Sequence, residues 1–260
     1  MPGSIPVTRD GDIATVAISN PGKLNALTVA MWRELARAFD ALSRDDTLRC
    51  VVLRGAGTEA FAAGADILEF ATERNDRAQG KVYHRELVYG ALRAVGECRH
   101  PTVAMVRGPA VGGGLELACQ CDLRICGESA RFGLPINRLG FAVAYDELAA
   151  LLALAGPAVA RELLIEGRVW DARESQAKGL VTRLVADDAL EAETYATARR
   201  IADGAPLVAR WHKKFINRLM DPRALSPEEQ DESYTCFGTE DYRTGRESFL
   251  AKRKPEFKGR

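Results

Sequence analysis

Three consecutive glycines, Gly112, Gly113 and Gly114, sit between an apolar run at 102–106 and an apolar stretch at 115–118, and they restrict what the chain can build there. The whole segment reads Gly108-Pro109-Ala110-Val111-Gly112-Gly113-Gly114-Leu115-Glu116-Leu117-Ala118. Glycine lets a backbone approach another group closely and adopt positive φ. At a strand-to-helix junction such a run can aim N–H groups outward, and the helix that starts there adds the positive end of its dipole. The run lacks the GxGxxG spacing of a dinucleotide site and the following Lys-Ser/Thr of a phosphate loop. A second apolar turn, Phe61-Ala62-Ala63-Gly64-Ala65-Asp66-Ile67, follows another strand-like run at 50–54. If the two turns meet in space, they give two N–H donors to one developing oxyanion, a large term in acyl-group catalysis. Taken singly, each turn reads equally well as glycines that let a helix pack on a strand.

Around these turns strand-like and helix-like segments alternate. Residues 12–19 alternate with period two, and 50–54, 102–106, 122–126 and 130–132 are short apolar strands. Thr28 is placed to cap a helix to about 43, with Met31, Leu35, Phe39 and Leu42 on one face. A long amphipathic segment fills 76–99, and 113–120 is a further helix. After 144 the chain is mostly helical, at 145–155, 157–166, 172–178, 190–202 and 206–219, with a short strand at 182–185. Ser226-Pro-Glu-Glu is an N-cap with Pro at the first helical position. The pattern predicts an α/β fold, with a core over 1–200 and a helical C-terminal region over 201–260.

Composition narrows the partners. With 260 residues, 47% of them hydrophobic, the chain can bury the core of one large domain. Basic and acidic residues balance at 36 each, so no global field draws in nucleic acid or an anionic membrane, and an anionic ligand needs local groups. The N-terminal stretch is polar and lacks the apolar run of a signal peptide. No run approaches ~20 uninterrupted apolar residues, so no membrane span is predicted. The six cysteines are irregularly spaced in mostly apolar context, which predicts reduced thiols and a cytoplasmic protein. Cys119-x-Cys121 has no partner pair or His nearby, so no metal site is predicted.

Six ordered segments carry a resemblance. They are Pro21-x-Lys23-x-Asn25-Ala26-Leu27, the 61–67 turn, the 108–122 run, 130–135 (ARFGLP), 177–181 (AKGLV) and 245–253 (GRESFLAKR). In order and spacing they resemble the crotonase (enoyl-CoA hydratase/isomerase) family over nearly the whole chain. The resemblance implies a spiral of ββα units followed by helices that trimerise, often as a dimer of trimers. It implies a substrate whose acyl group is carried on coenzyme A, with no metal or redox cofactor. By the same resemblance, the N–H groups of Ala65 and Gly113 would form an oxyanion hole for the thioester carbonyl and its enolate. Ala63 and Ile67 would lie along the adenine end of the CoA, with Lys23 and Lys252 near its phosphates. Ala26, Asp66, Ile136 and Phe249 complete the candidate substrate- and CoA-binding positions.

Glu116 is the candidate for proton chemistry. It lies one helical turn after Gly113, and apolar neighbours should raise its pKa toward a useful range. The resemblance places it where hydratases keep the first of two catalytic glutamates. The second, expected directly after Pro135, is replaced by Ile136. Losing one general acid or base typically forfeits about 10²–10⁴ in rate. The glycine-rich stretch that usually follows is replaced by 139–147 (LGFAVAYDE), where Tyr145 is the candidate to assist, because a phenol can orient a carboxylate or water. Asp146 and Glu147 read as first-turn acids complementing a helix dipole. His84 and Tyr83 sit in the helical segment that, by the resemblance, often borders the acyl pocket; His84 is a candidate base there, though it reads more readily as a surface or core-edge histidine. Leu134, Ile136, Phe141 and Val143 suggest an apolar acyl pocket. The expectation is an enoyl-CoA hydratase-type lyase or isomerase working through an enolate. Another enolate reaction on acyl-CoA (isomerisation, decarboxylation or thioester hydrolysis) and a non-catalytic acyl-CoA-binding trimer are the alternatives.

Overall fold

The computed structural model describes residues 2–260. Among them, nine strands form two sheets: β1 Val7–Asp10, β2 Ile13–Ile18, β3 Cys50–Gly55, β4 Thr102–Val106, β5 Pro109–Val111, β6 Leu123–Gly127, β7 Arg131–Gly133, β8 Val169–Asp171 and β9 Arg183–Val185. The larger sheet runs β1-β2-β3-β4-β6-β9, antiparallel at β1 and parallel elsewhere. β3 and β4 are apolar almost throughout, as strands covered on both faces must be. Val51 and Leu53 face the Val29–Arg44 helix, whose Met31, Trp32, Leu35 and Phe39 are buried in one core cluster with Ala91, Leu92 and Val95. Cys50 and Val52 face the other way, onto Leu190, Ala198 and Ala202 of the Leu190–Ala202 helix. The smaller sheet, β5-β7-β8, carries the strand that leads into the three glycines.

The alternating α/β pattern read from the sequence is the observed one, and each strand expected there is present. β1, β5 and β8 were not expected; they are three or four residues long, too short to show a period. The amphipathic segment at 76–99 is helical in three pieces, Arg77–Val82, a π-helical stretch Tyr83–Val88, and Tyr89–Gly96. Such π turns recur at functional sites.

The run Tyr145–Glu166 spans 22 residues and is long and apolar enough to cross a membrane. It is, however, broken at Gly156 (φ 76°, ψ 172°), directly before Pro157. The break falls between the segments 145–155 and 157–166 read from the sequence. Neither piece alone has the roughly 20 residues a span needs. Its first turns pack on the Gly113–Gln120 helix, which brings Glu147 toward the glycine turns.

A C-terminal helix is tied to the core by an ion pair whose lysine is buried and whose carboxylate is half-buried. Lys213, on the Pro206–Leu219 helix, places Nζ 2.9 Å from Asp122 Oδ2 and donates to the His100 carbonyl at 3.2 Å. The same Asp122 oxygen accepts from the Thr102 N–H at 2.7 Å and its hydroxyl at 3.0 Å. Asp122→Ala therefore leaves a buried ammonium without its counter-charge, and urea denaturation should show a loss of about 3 kcal/mol. Lys213→Met is expected to cost less, because Asp122 keeps Thr102 and reaches solvent. All six cysteines are free, and burial pushes the thiols of Cys50, Cys119, Cys121 and Cys126 up to about 12.

Candidate active site

The two glycine turns do meet. Ala62 bridges Ala110 and Leu27 bridges Ala65, both in parallel sense, so the 61–67 turn is clamped between the 24–27 loop and β5. Leu27 donates to the Gly64 carbonyl at 2.7 Å and accepts from the Asp66 N–H at 2.8 Å. That pairing uses the residues on either side of Ala65 and turns the N–H of Ala65 away from Leu27. Gly113 opens a helix, where the first N–H groups have no intrahelical partner. Among the described residues, neither Ala65 nor Gly113 gives its N–H to a backbone carbonyl outside a helix or strand. A Cβ on Gly64 would lie 3.7 Å from the Gly113 nitrogen, so the two segments are in contact. Gly64 (φ 96°) and Gly112 (φ 55°) both need the left-handed region here. Asn25, itself at φ 57°, fixes the loop beneath by donating to the carbonyls of Ala56 (3.0 Å) and Ala60 (2.8 Å).

A cavity opens over these donors. Ala63, Ala65, Ile67, Gly113, Glu116 and Ile136 line it, six of the positions picked from sequence. Glu116 is buried, and its Oε2 lies 3.9 Å from where a Cβ on Gly113 would stand. Burial first, and then the Glu147 carboxylate, push the Glu116 carboxyl up to about 8, against the pull of Arg74. Trp32 walls this end and donates from Nε1 to Tyr83 Oη at 3.2 Å. Burial raises that phenol to about 12, so it stays protonated. Leu139, Phe141 and Val143 line the apolar end with Ile136.

A second carboxylate enters the same cavity, and sequence reasoning assigned it elsewhere. Tyr145, the residue picked to assist Glu116, is 93% exposed and does not line the cavity. Glu147, two residues on, is only 3% exposed and does line it. Helical spacing explains the correction. Ala144 is the N-cap, so Tyr145 starts the helix on the solvent side while Glu147, at the third position, turns inward. Glu147 Oε2 accepts from the Ala144 N–H at 3.4 Å, so it also complements the helix start as expected. Its Oε1 lies 2.8 Å from His84 Nδ1, and His84 Nε2 lies 3.2 Å from Arg74 Nη1. The Arg74 guanidinium stacks 3.2 Å above the Phe70 ring, and burial lowers its pKa, with Tyr83, Glu147 and Glu116 opposing. No local signal ties position 84 to position 147; the π turn that faces both Tyr83 and His84 into the cavity is a tertiary fact.

The remaining candidate positions lie outside the cavity lining. Lys23 and Ala26 belong to the loop whose Leu24 carbonyl accepts from the Ala63 N–H at 3.0 Å, placing them beside the 63–67 turn. Lys23 Nζ is 2.6 Å from Asp66 Oδ2, so this lysine, expected near phosphates, already faces a carboxylate. Burial works to raise the Asp66 carboxyl, but the Lys23 ammonium and the Leu68 N–H hold it below the usual range. Phe249 and Lys252 lie at the end of the Glu240–Leu250 helix, both exposed, and the single chain does not bring them to the cavity.

Chemically, the arrangement can hold a carbonyl oxygen on two N–H groups with two carboxyl groups nearby. Residues 8–260 match the family model described as enoyl-CoA hydratase/isomerase. The chain is 36% identical over 256 residues to a probable enoyl-CoA hydratase of Rhizobium meliloti, covering 98% of this chain and 97% of that one. A crystal structure of an enoyl-CoA hydratase/carnithine racemase from Magnetospirillum magneticum superposes with a TM-score of 0.97 at 52% identity, covering 98% of this chain and 96% of that one. A putative enoyl-CoA hydratase/isomerase family protein from Hyphomonas neptunium gives a TM-score of 0.93 at 31% identity, covering 98% of each chain. The fold is thus that of the crotonase-type enzymes. The chain belongs to the enoyl-CoA hydratase/isomerase family.

Proposed function

We propose that this enzyme adds water across the double bond of a 2-enoyl-CoA, as an acyl-CoA lyase of the hydratase type. The thioester oxygen accepts from the N–H groups of Ala65 and Gly113, which stabilise the enolate formed when charge moves onto it. The observation that carries this reading is the pair of buried carboxyl groups, Glu116 and Glu147, facing one cavity beside those donors. Hydration needs one group to deprotonate water and another to protonate the α-carbon, and Ile136 alone would have removed one of them. Acid–base chemistry of this kind requires no metal or redox cofactor, and CoA enters as part of the substrate.

The acyl chain is assigned to the apolar end at Ile136, Phe141 and Val143, and the CoA to the rim at Ala63, Ile67 and the Lys23 loop. Exposed Leu152 and Ile165 on the run after Tyr145 support assembly with further copies, as a homotrimer or a dimer of trimers. Six free thiols fit a cytoplasmic enzyme.

The test is hydration of crotonyl-CoA and longer 2-enoyl-CoAs, followed by loss of the conjugated thioester absorbance. A hydration rate that saturates with substrate is expected. Tight acyl-CoA binding with no turnover would remove the hydratase reading and leave isomerisation, decarboxylation or a binding role.

A further inference from the structure

Arginine only donates hydrogen bonds, so the Arg74 Nη1–H that faces His84 Nε2 at 3.2 Å requires a lone pair on that nitrogen. The imidazole is then neutral and carries its proton on Nδ1, where it donates to Glu147 Oε1 at 2.8 Å. With Oε2 accepting from the Ala144 N–H, both Glu147 oxygens are acceptors, the arrangement of an ionised carboxylate. Glu116 stands in the opposite surroundings: it is buried, with no donor to its carboxyl among the described residues. Two carboxyl groups whose environments pull them apart in this way take opposite roles in proton transfer.

We infer that Glu147, oriented by the Arg74–His84 chain, is the base that deprotonates water, and that Glu116 is the acid that protonates the α-carbon. The inference rests on the hydratase reading. Glu147 removes one proton from water as the water oxygen bonds to the β-carbon. The π pair of the double bond shifts to form the enolate, whose oxygen lies on the Ala65 and Gly113 N–H groups. Glu116 then gives its proton to the α-carbon, and the enolate pair becomes the new C–H bond. One water is added, nothing is oxidised or reduced, and solvent returns the proton from Glu147 to Glu116. Glu147 is a catalytic residue on this account, while His84 and Arg74 are positioning residues. The titratable and charged groups around the pair are Arg74, Tyr83 and His84, with Glu69 beyond them bound to the Val29 N–H at 2.7 Å.

The experiment compares Glu147→Gln, Glu116→Gln, His84→Leu and His84→Gln, each checked for folding by its thermal melt. Wild-type kcat/KM for crotonyl-CoA should fall at alkaline pH as Glu116 ionises. His84→Leu should lose about 10–100-fold in kcat with little change in KM. His84→Gln, whose amide can accept from Arg74 and donate to Glu147, should recover most of the rate. Exchange of the α-proton of butyryl-CoA in D₂O assigns the acid: Glu147→Gln should retain exchange while losing hydration, and Glu116→Gln should lose both. An undiminished kcat in His84→Leu, or exchange lost in Glu147→Gln and kept in Glu116→Gln, overturns the inference. ¹⁵N NMR of His84 in the substrate-free enzyme separates this failure from that of the hydratase reading. A proton on Nε2 refutes the chain of bonds whatever the enzyme turns over, and a proton on Nδ1 supports it.

Discussion

Glu116→Gln is expected to lower kcat for 2-enoyl-CoA hydration by about 10²–10⁴ while making the folded protein more stable at alkaline pH. The two effects have one cause. Burial raises the Glu116 carboxyl to about 8 in the folded chain, against an ordinary glutamate value of 4.5. A group whose folded pKa is raised contributes stability that is fully present below its unfolded pKa. That contribution is lost as pH climbs through the folded value. Wild type and Glu116→Gln should therefore diverge above about pH 4.5, with the gap levelling off above about pH 8. At pH 9 the variant's advantage is on the order of a few kcal/mol. Urea denaturation at pH 5 and pH 9, with the hydration assay on the same samples, checks both. A variant as active as wild type would remove Glu116 from the chemistry, and one no more stable at pH 9 would mean the carboxyl is not held protonated.

Gly114→Ala is expected to lower kcat by about 10²–10³, the usual cost of losing one oxyanion donor. Gly114 touches no substrate on the account given above. A Cβ there would stand 2.2 Å from the Ala62 carbonyl oxygen and 3.0 Å from the Ala62 Cβ. Neither neighbour is a flexible side-chain end, so the 61–65 segment must move away from the helix start. The Ala65 and Gly113 N–H groups then no longer converge on one oxygen. Overpacking of this kind also costs about 1–3 kcal/mol of stability. The control is Gly90→Ala, where a Cβ meets nothing within 4 Å inside a helix. That change should leave the rate alone and add about 0.4–1 kcal/mol. A Gly114→Ala enzyme that keeps wild-type kcat would show that the two donors do not need this separation.

What the sequence disclosed followed from local chemistry. Period-two alternation at 13–18 and continuous apolar runs at 50–54 and 102–106 gave the central strands because burial on one or both faces writes itself into consecutive residues. The glycine turns were visible because close backbone approach tolerates no side chain, as the space around Gly64 and Gly114 shows. Glu116 was visible because it follows Gly113 by one helical turn. Glu147 was not. A carboxylate in the first turn of a helix reads the same whether it faces solvent or a cavity, and its partner His84 is 63 positions away. Tyr145 drew attention by its chemistry alone, and the helix phase that sends it outward depends on which residue caps the helix. The π turn at Tyr83–Val88 was hidden for a related reason, since an amphipathic stripe tolerates one inserted residue without losing its apolar character.

Ala65 and Gly113, proposed as the oxyanion donors, belong to segments about fifty positions apart, and Ala65 is not held by its own local structure. Ala65 is oriented by Leu27 on one side, while Ala62 is tied to β5 through the Ala110 bridge on the other. Three stretches of chain must therefore be in register before the pair converges. On the refolding pathway, helices such as Val29–Arg44 can form from near neighbours alone, but closing these long loops is slow. Far-ultraviolet ellipticity should return early after dilution from denaturant, and the capacity to polarise a thioester should return only with the last loop closure.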